Sequence, residues 1–336
     1  MNRPSEAMLT ESAQDQSGLR AEQYLAPETI GQLGSFELRA RMIAEGVMSG
    51  MHRSPYQGLA VEFAEHRQYV PGDDLKHLDW KVFGRSDKLH IKQYQQETNL
   101  DVVLLVDSSA SMRFGTLEVK KGWGGTEASR QSSNWTKFDH ATAIAAALCY
   151  LSLQQRDRVG VGLFGNGLRS QVRRSNARDT WRRAVRTLAG ETMDDVTDLP
   201  KVVEQTLATV TNRSLFVLIS DLLVPTESVR EAVARLRHRR HDVLLLQVLD
   251  RQELRFDYDD PAPFEGLEGE GRIPVDPRSV REDYLEALGT HCGEIERIAR
   301  SHGYDYLRLD THGSVGPAIA ALLARRRMMS KGGSGR

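Results

Sequence analysis

Leu100-Asp101-Val102-Val103-Leu104-Leu105-Val106-Asp107-Ser108-Ser109-Ala110-Ser111-Met112 is the stretch whose reading decides the fold. From Val102 to Val106 every residue is aliphatic. A strand that is apolar at consecutive rather than alternate positions is buried on both faces, as in the middle of a parallel sheet. The run stops at Asp107 and gives way to small hydroxyl-bearing residues. In open α/β sheets, ligands bind beyond the C-terminal ends of the strands, where this polar segment falls.

Downstream the pattern alternates. The spacing predicts a helix over 137–154, a strand over 158–164, and a strand over 168–173 paired with it across Gly165-Asn166-Gly167. Helices are then expected over 177–188 and 199–210, a strand over 214–220, a helix over 226–239 and a strand over 242–249. A helix over 281–302, a strand over 304–309 and a closing helix over 315–327 complete the series. Such alternation gives an α/β fold, a doubly wound, mostly parallel sheet with helices on both faces.

Upstream, a short helix is expected over 36–47. Extended segments over 59–70 and 88–95 are separated by the turn Pro71-Gly72-Asp73-Asp74 and a short helix over 75–80. These form a small β-containing N-terminal lead-in region. The expected organisation is disorder over 1–30, the lead-in helix and β region over 31–99, the α/β domain over 100–327, and a flexible tail over 328–336. Segments 113–135 and 256–277, rich in Gly, Ser, Pro and acidic residues, read as long loops.

The 336 residues are 40% hydrophobic, enough for a full core. Lys and Arg number 45 against 46 Asp and Glu, so no global field draws the chain to nucleic acid or an anionic membrane. The arginines at 178, 182, 183 and 186 fall at helical spacing and read, like the basic run at 235–240, as solvated faces. Cys149 and Cys292 lack metal-motif spacing and are expected as reduced thiols. With no signal-like N-terminus and no apolar run of roughly 18 residues, the expectation is a cytoplasmic protein without a membrane span.

Asp107, Ser109 and Ser111 present one carboxylate and two hydroxyls at alternate positions. A hard cation such as Mg²⁺ takes oxygen donors, few of them charged, and keeps waters. Asp and Ser after a strand are also ordinary caps and turn formers, so the triplet alone does not separate the two readings. Two further oxygens favour the metal. Asp221 follows the strand over 214–220 as Asp107 follows its own, and Thr197, in Val196-Thr197-Asp198-Leu199, sits in a loop before another helix. By contrast Asp73, Asp74 and Asp79 are accounted for by turn and capping duty, and Arg67, Tyr69 and Trp80 by packing.

The pattern Asp107-x-Ser109-x-Ser111, then Thr197, then Asp221 resembles the metal-ion-dependent adhesion site of von Willebrand factor A domains. The resemblance implies a divalent cation, Mg²⁺ foremost with Mn²⁺ or Ca²⁺ as alternatives. It also implies an open coordination position that takes a Glu or Asp carboxylate of a partner protein. Upstream, Glu62-Phe63-Ala64-Glu65-His66-Arg67-Gln68-Tyr69-Val70-Pro71-Gly72-Asp73-Asp74, followed by Asp79-Trp80, resembles the signature of the bacterial family catalogued as domain of unknown function 58. That likeness runs from about residue 36 to 327. It implies association with MoxR-type AAA+ ATPases in an adaptor or co-chaperone role.

The expected function is therefore a non-catalytic, metal-dependent protein-binding module. The alternative is a metal-dependent phosphatase or phosphotransferase in the same Asp107 pocket. Against it, the second Asp that such a nucleophile uses two residues on is Ser109 here. No Gly-x-Ser-x-Gly elbow or Walker A loop occurs.

Overall fold

The computed structural model describes residues 66–68, 83–85, 88–92, 100–118, 134–190, 196–269 and 271–332. The helix expected over 36–47, the turn and helix over 71–80, and the ends assigned to disorder over 1–30 lie outside the described residues. The chain divides into two compact units, with residues 49–98 forming one and the chain from Asn99 onward belonging to the other. Within the first, β1 (His66–Gln68) pairs antiparallel with β2 (His90–Lys92), Arg67 opposite Ile91.

The larger unit begins with β3 (Asp101–Asp107), buried along its whole length, and a single 3₁₀ turn over Ala110–Arg113. A two-residue pair, β4 (Leu117–Glu118) and β5 (Asn134–Trp135), leads into α1 (Lys137–Gln154). There Gly115 runs so close against the Trp135 backbone that a Cβ would clash with its carbonyl oxygen. That glycine makes room for a close backbone crossing.

The series continues with β6 (Arg158–Gly165), β7 (Gly167–Ser175), α2 (Thr180–Ala189), α3 (Leu199–Leu207), β8 (Leu215–Ser220) and α4 (Thr226–His238). It closes with β9 (Asp242–Leu249), α5 (Arg251–Arg255), β10 (Ala262–Glu265), β11 (Arg272–Val275), α6 (Pro277–Ser301), β12 (Asp305–Asp310) and α7 (Gly316–Gly332).

The main sheet has six strands in the order β12-β9-β8-β3-β6-β7, all parallel except β7, which turns back antiparallel on β6. The expected mostly parallel α/β sheet is thus observed. The chain starts in the middle at β3, winds outward through β6 and β7, then returns to the other side of β3 at β8. The winding direction reverses between β3 and β8, the crevice where doubly wound sheets place ligands.

Alternation along the strands decides what each face buries. Val103 and Leu105 of β3, Phe216 and Leu218 of β8, and Val243 and Leu245 of β9 join one core with Leu199 and Val202 of α3, Val229 and Val233 of α4, and Ile295 of α6. The intervening residues, Val102, Leu104, Val106, Val217 and Ile219, are equally buried on the opposite face, where α1 packs between α2 and α7. Helix α1 is buried nearly all round, with Ile144, Ala147 and Leu148 fully enclosed. Its N-terminus is fixed by a capping box between Thr136 and Asp139.

Two loop expectations are corrected. Segment 256–277 holds the β10–β11 hairpin, with Pro263 opposite Pro274, and an aromatic cluster holds the start of the segment against α6. Phe256 stacks on Phe264 at 5.7 Å and tilts against Tyr284 at 4.4 Å. In segment 113–135, residues 119–133 lie outside the described residues, and its two ends form the 3₁₀ turn and the β4–β5 pair. The arginines at 178, 182, 183 and 186 are exposed, as a solvated face requires. Both cysteines are free and buried, and burial pushes the Cys149 thiol up to about 12.

Candidate metal centre

The Asp107 carboxylate sits at the tip of β3, fully buried, and is met from three sides. Its Oδ1 accepts from the Ser109 backbone N–H at 2.8 Å, the ordinary Asx-turn bond. Its Oδ2 accepts from the Ser220 hydroxyl at 2.6 Å, reached across the crevice from the end of β8. The Thr197 hydroxyl lies 3.1 Å from Oδ1 and 3.0 Å from Oδ2. The loop that carries Thr197 is tied down by a bond from Asp198 N–H to the Gly165 carbonyl at 3.1 Å, and Asp198 then caps α3.

The serines are not used as the capping reading requires. Ser109 is the residue before the 3₁₀ turn, yet its side chain makes no cap bond. Its hydroxyl lies 3.1 Å from that of Ser111 instead. The Ser109 hydroxyl also stabilises the Asp107 carboxylate, and the Ser111 hydroxyl stabilises that of Asp221. Thr197 with Asp107 and Ser109 with Ser111 are hydrogen-bonded pairs, and the two serine hydroxyls lie near enough to the Asp107 and Asp221 carboxylates to favour their charged forms, so the five side chains gather in the crevice between β3 and β8.

Asp221 is held just as closely. Its Oδ1 accepts from the Leu223 N–H at 3.3 Å, and its backbone carbonyl accepts from Gln247 Nε2 at 2.8 Å. The next residue, Leu222, is buried with a left-handed backbone, φ 53°. For a leucine that conformation is unfavourable and persists only when surroundings enforce it. Here the Ser220 hydroxyl accepts from Leu222 N–H at 2.9 Å, and His291 Nε2 donates to the Leu222 carbonyl at 2.8 Å.

Three residues of the pocket were not singled out by sequence reasoning. Ser220 is one. The others are Lys137, whose Nζ lies 2.8 Å from Asp221 Oδ2 and 2.7 Å from Glu253 Oε1, and Glu253 itself. The charges act on one another in the way the geometry demands. Burial, reinforced by the Asp221 charge, pushes the Asp107 carboxyl up to about 6 against its hydrogen bonds. For Asp221, burial favours the neutral form, but Lys137, Ser111 and the Leu223 N–H outweigh it and hold the carboxyl below the usual range. Lys137 is held protonated by its two carboxylates in spite of its burial.

The donor chemistry fits a hard divalent ion. Two carboxylates and three hydroxyls converge, with no thiolate or imidazole among them, and so few charged ligands suit Mg²⁺. Among the described residues no group of three or more His, Cys, Asp or Glu is placed to hold a metal. A cation in this crevice therefore depends on the hydroxyls as well as the carboxylates.

Comparison with known proteins adds kinship. An uncharacterized protein of Mycobacterium tuberculosis (strain ATCC 25618 / H37Rv) is 29% identical over 310 residues, 90% of each chain. Another uncharacterized protein, from Mycobacterium bovis, matches equally well. Among solved structures, the conserved hypothetical protein BatB from Bacteroides thetaiotaomicron aligns with 69% of this chain and 99% of its own, at 17% identity and a TM-score of 0.45. An aerotolerance-related membrane protein from Bacteroides fragilis covers 66% of this chain and 96% of its own, at 16% identity and a TM-score of 0.40. The family described as "Protein of unknown function DUF58" matches residues 65–293, more than half of the sequence, and the chain belongs to that family.

Proposed function

We propose that the α/β unit is a von Willebrand factor A-like domain whose crevice is a metal-ion-dependent adhesion site, and that the protein is a non-catalytic, metal-dependent binding module. The observation that carries the reading is the gathering of oxygens from Thr197, Asp107, Ser109, Ser111 and Asp221 at the point where the sheet reverses its winding. A bound Mg²⁺ would supply an open coordination position to a Glu or Asp carboxylate of a partner protein.

The residues of the chain do the rest. Asp107 supplies the one carboxylate without a cationic partner in the pocket, and Ser220 and Thr197 orient it. Ser109 and Ser111 have rotatable hydroxyl protons and so turn from each other to present lone pairs. Asp221 keeps Oδ2 on Lys137, which suits it to hold a water of the ion's shell. A MoxR-type AAA+ ATPase is the partner class that the DUF58 resemblance implies. Among the described residues no helix is long and apolar enough to cross a membrane.

Calorimetric titration of the chelator-stripped protein with Mg²⁺ and Mn²⁺ tests the reading. One saturable site is expected in the wild type, with binding lost in Asp107→Ala and in Asp221→Ala. A wild type that shows no saturable binding overturns it, as does Asp107→Ala binding like the wild type.

A further inference from the structure

Lys137 enters the pocket from the first turn of α1, and its side chain is only 1% exposed. Besides the two carboxylate oxygens, the Phe114 ring lies on its flank, 6.0 Å from Nζ. Were Asp221 its sole partner, the ammonium would neutralise that carboxylate and leave Asp107 as the one uncompensated charge. Glu253 alters this balance. It comes from α5, beyond β9, and its second oxygen accepts from the Asp250 backbone N–H at 2.7 Å. That bond belongs to a capping box, so the Glu253 carboxylate is fixed against Lys137 rather than free to turn to solvent.

When all three are ionised, Asp107, Asp221 and Glu253 set three negative charges against the one positive charge of Lys137, a net of −2 in a largely buried pocket. Buried charge of that size calls for compensation, and a divalent ion supplies it where a monovalent one falls short. We propose that Glu253 is a positioning residue of the cation site: by sharing Lys137 with Asp221, it keeps Asp221 available and matches the pocket's net charge to a divalent ion. Neither Glu253 nor Lys137 needs to touch the ion. The inference rests on the metal reading above and adds to it a residue outside the five-oxygen set.

The test is calorimetric titration with MgCl₂ at pH 7.5 on the full chain, comparing wild type, Glu253→Gln and the double variant Lys137→Met/Glu253→Gln, each checked for folding by circular dichroism. In Glu253→Gln the ammonium is left to Asp221 alone and the net charge drops to −1. Its Mg²⁺ affinity is expected to fall tenfold or more. The double variant returns the net charge to −2, and its affinity is expected within threefold of the wild type. Unchanged affinity in Glu253→Gln overturns the inference. So does a double variant no tighter than the single one, since a merely structural Glu253 would not be rescued by removing its partner. If Glu253→Gln does not fold, the double variant decides: affinity within threefold of wild type supports the charge account, and a larger loss overturns it. A wild type that binds no Mg²⁺ fails the metal reading first and takes this inference with it.

Discussion

Lys137→Met is expected to destabilise the chain by about 3–5 kcal/mol, the range for removing one partner of a buried ion pair and leaving its counter-charge uncompensated. The side chain is 1% exposed and bridges Asp221 and Glu253 at 2.8 and 2.7 Å, so solvent cannot take its place. Methionine has nearly the right volume, so the loss reports charge rather than a cavity. In a domain of this size the melting temperature should drop by on the order of 10 °C, measured by circular dichroism in chelator at pH 7.5. Two features separate this from a generic core defect. The deficit should shrink as the pH is lowered, because protonating Asp221 or Glu253 removes the stranded charge. Adding Glu253→Gln should also recover part of the loss, since the pocket then holds one fewer buried anion. A melting temperature within about 2 °C of wild type would mean that the ion pair is weak and water-accessible.

Lys137 is not legible in the sequence as a pocket residue. A lysine after Thr136, at the start of a helix, reads as an ordinary solvated charge in the first turn. Its meaning depends on two acidic residues, one at the end of β8 and one on α5, brought together only by the return of the chain across β3. Glu253 was hidden for a related reason: a one-turn helix such as α5 has no period long enough to register. The aliphatic runs of β3, β8 and β9 needed no such context, since burial on both faces is written into consecutive residues. The five-oxygen set is legible because four members follow an apolar strand and Thr197 lies just before a helix. Ser220 reads in the sequence only as the last residue of its strand. Segment 256–277 reads as loop because it is rich in Asp, Glu, Gly and Pro, yet a two-stranded hairpin outside the main sheet leaves room for Pro263 and Pro274.

Asp107→Asn is expected to do the reverse of Lys137→Met: to stabilise the metal-free chain at neutral pH by up to about 3 kcal/mol while abolishing Mg²⁺ binding. The sign follows from linkage. The carboxyl is raised to about 6 in the folded chain, by burial first and by Asp221 second, whereas the unfolded chain has the ordinary value near 3.8. The folded state therefore binds a proton more tightly than the unfolded state. The stability this contributes is fully present below about pH 4 and is lost as the pH rises through 6. Above that, wild type carries an ionised carboxylate with Asp221 for a neighbour, and the amide removes that charge. The Thr197 and Ser220 hydroxyls can reverse to accept from the new NH₂, so its polar atoms need not go unpaired. Melting curves in chelator at pH 4.5 and 7.5 check this, with the advantage of Asp107→Asn expected to widen at the higher pH. Equal melting temperatures at both would show that Asp107 ionises as easily folded as unfolded. Saturating Mg²⁺ should then erase or invert the order, because only the wild type gains from binding, by about 2.7 kcal/mol at a hundredfold excess over Kd. A carboxylate that weakens the metal-free fold is what the proposed cation site predicts, since stability alone would favour its loss.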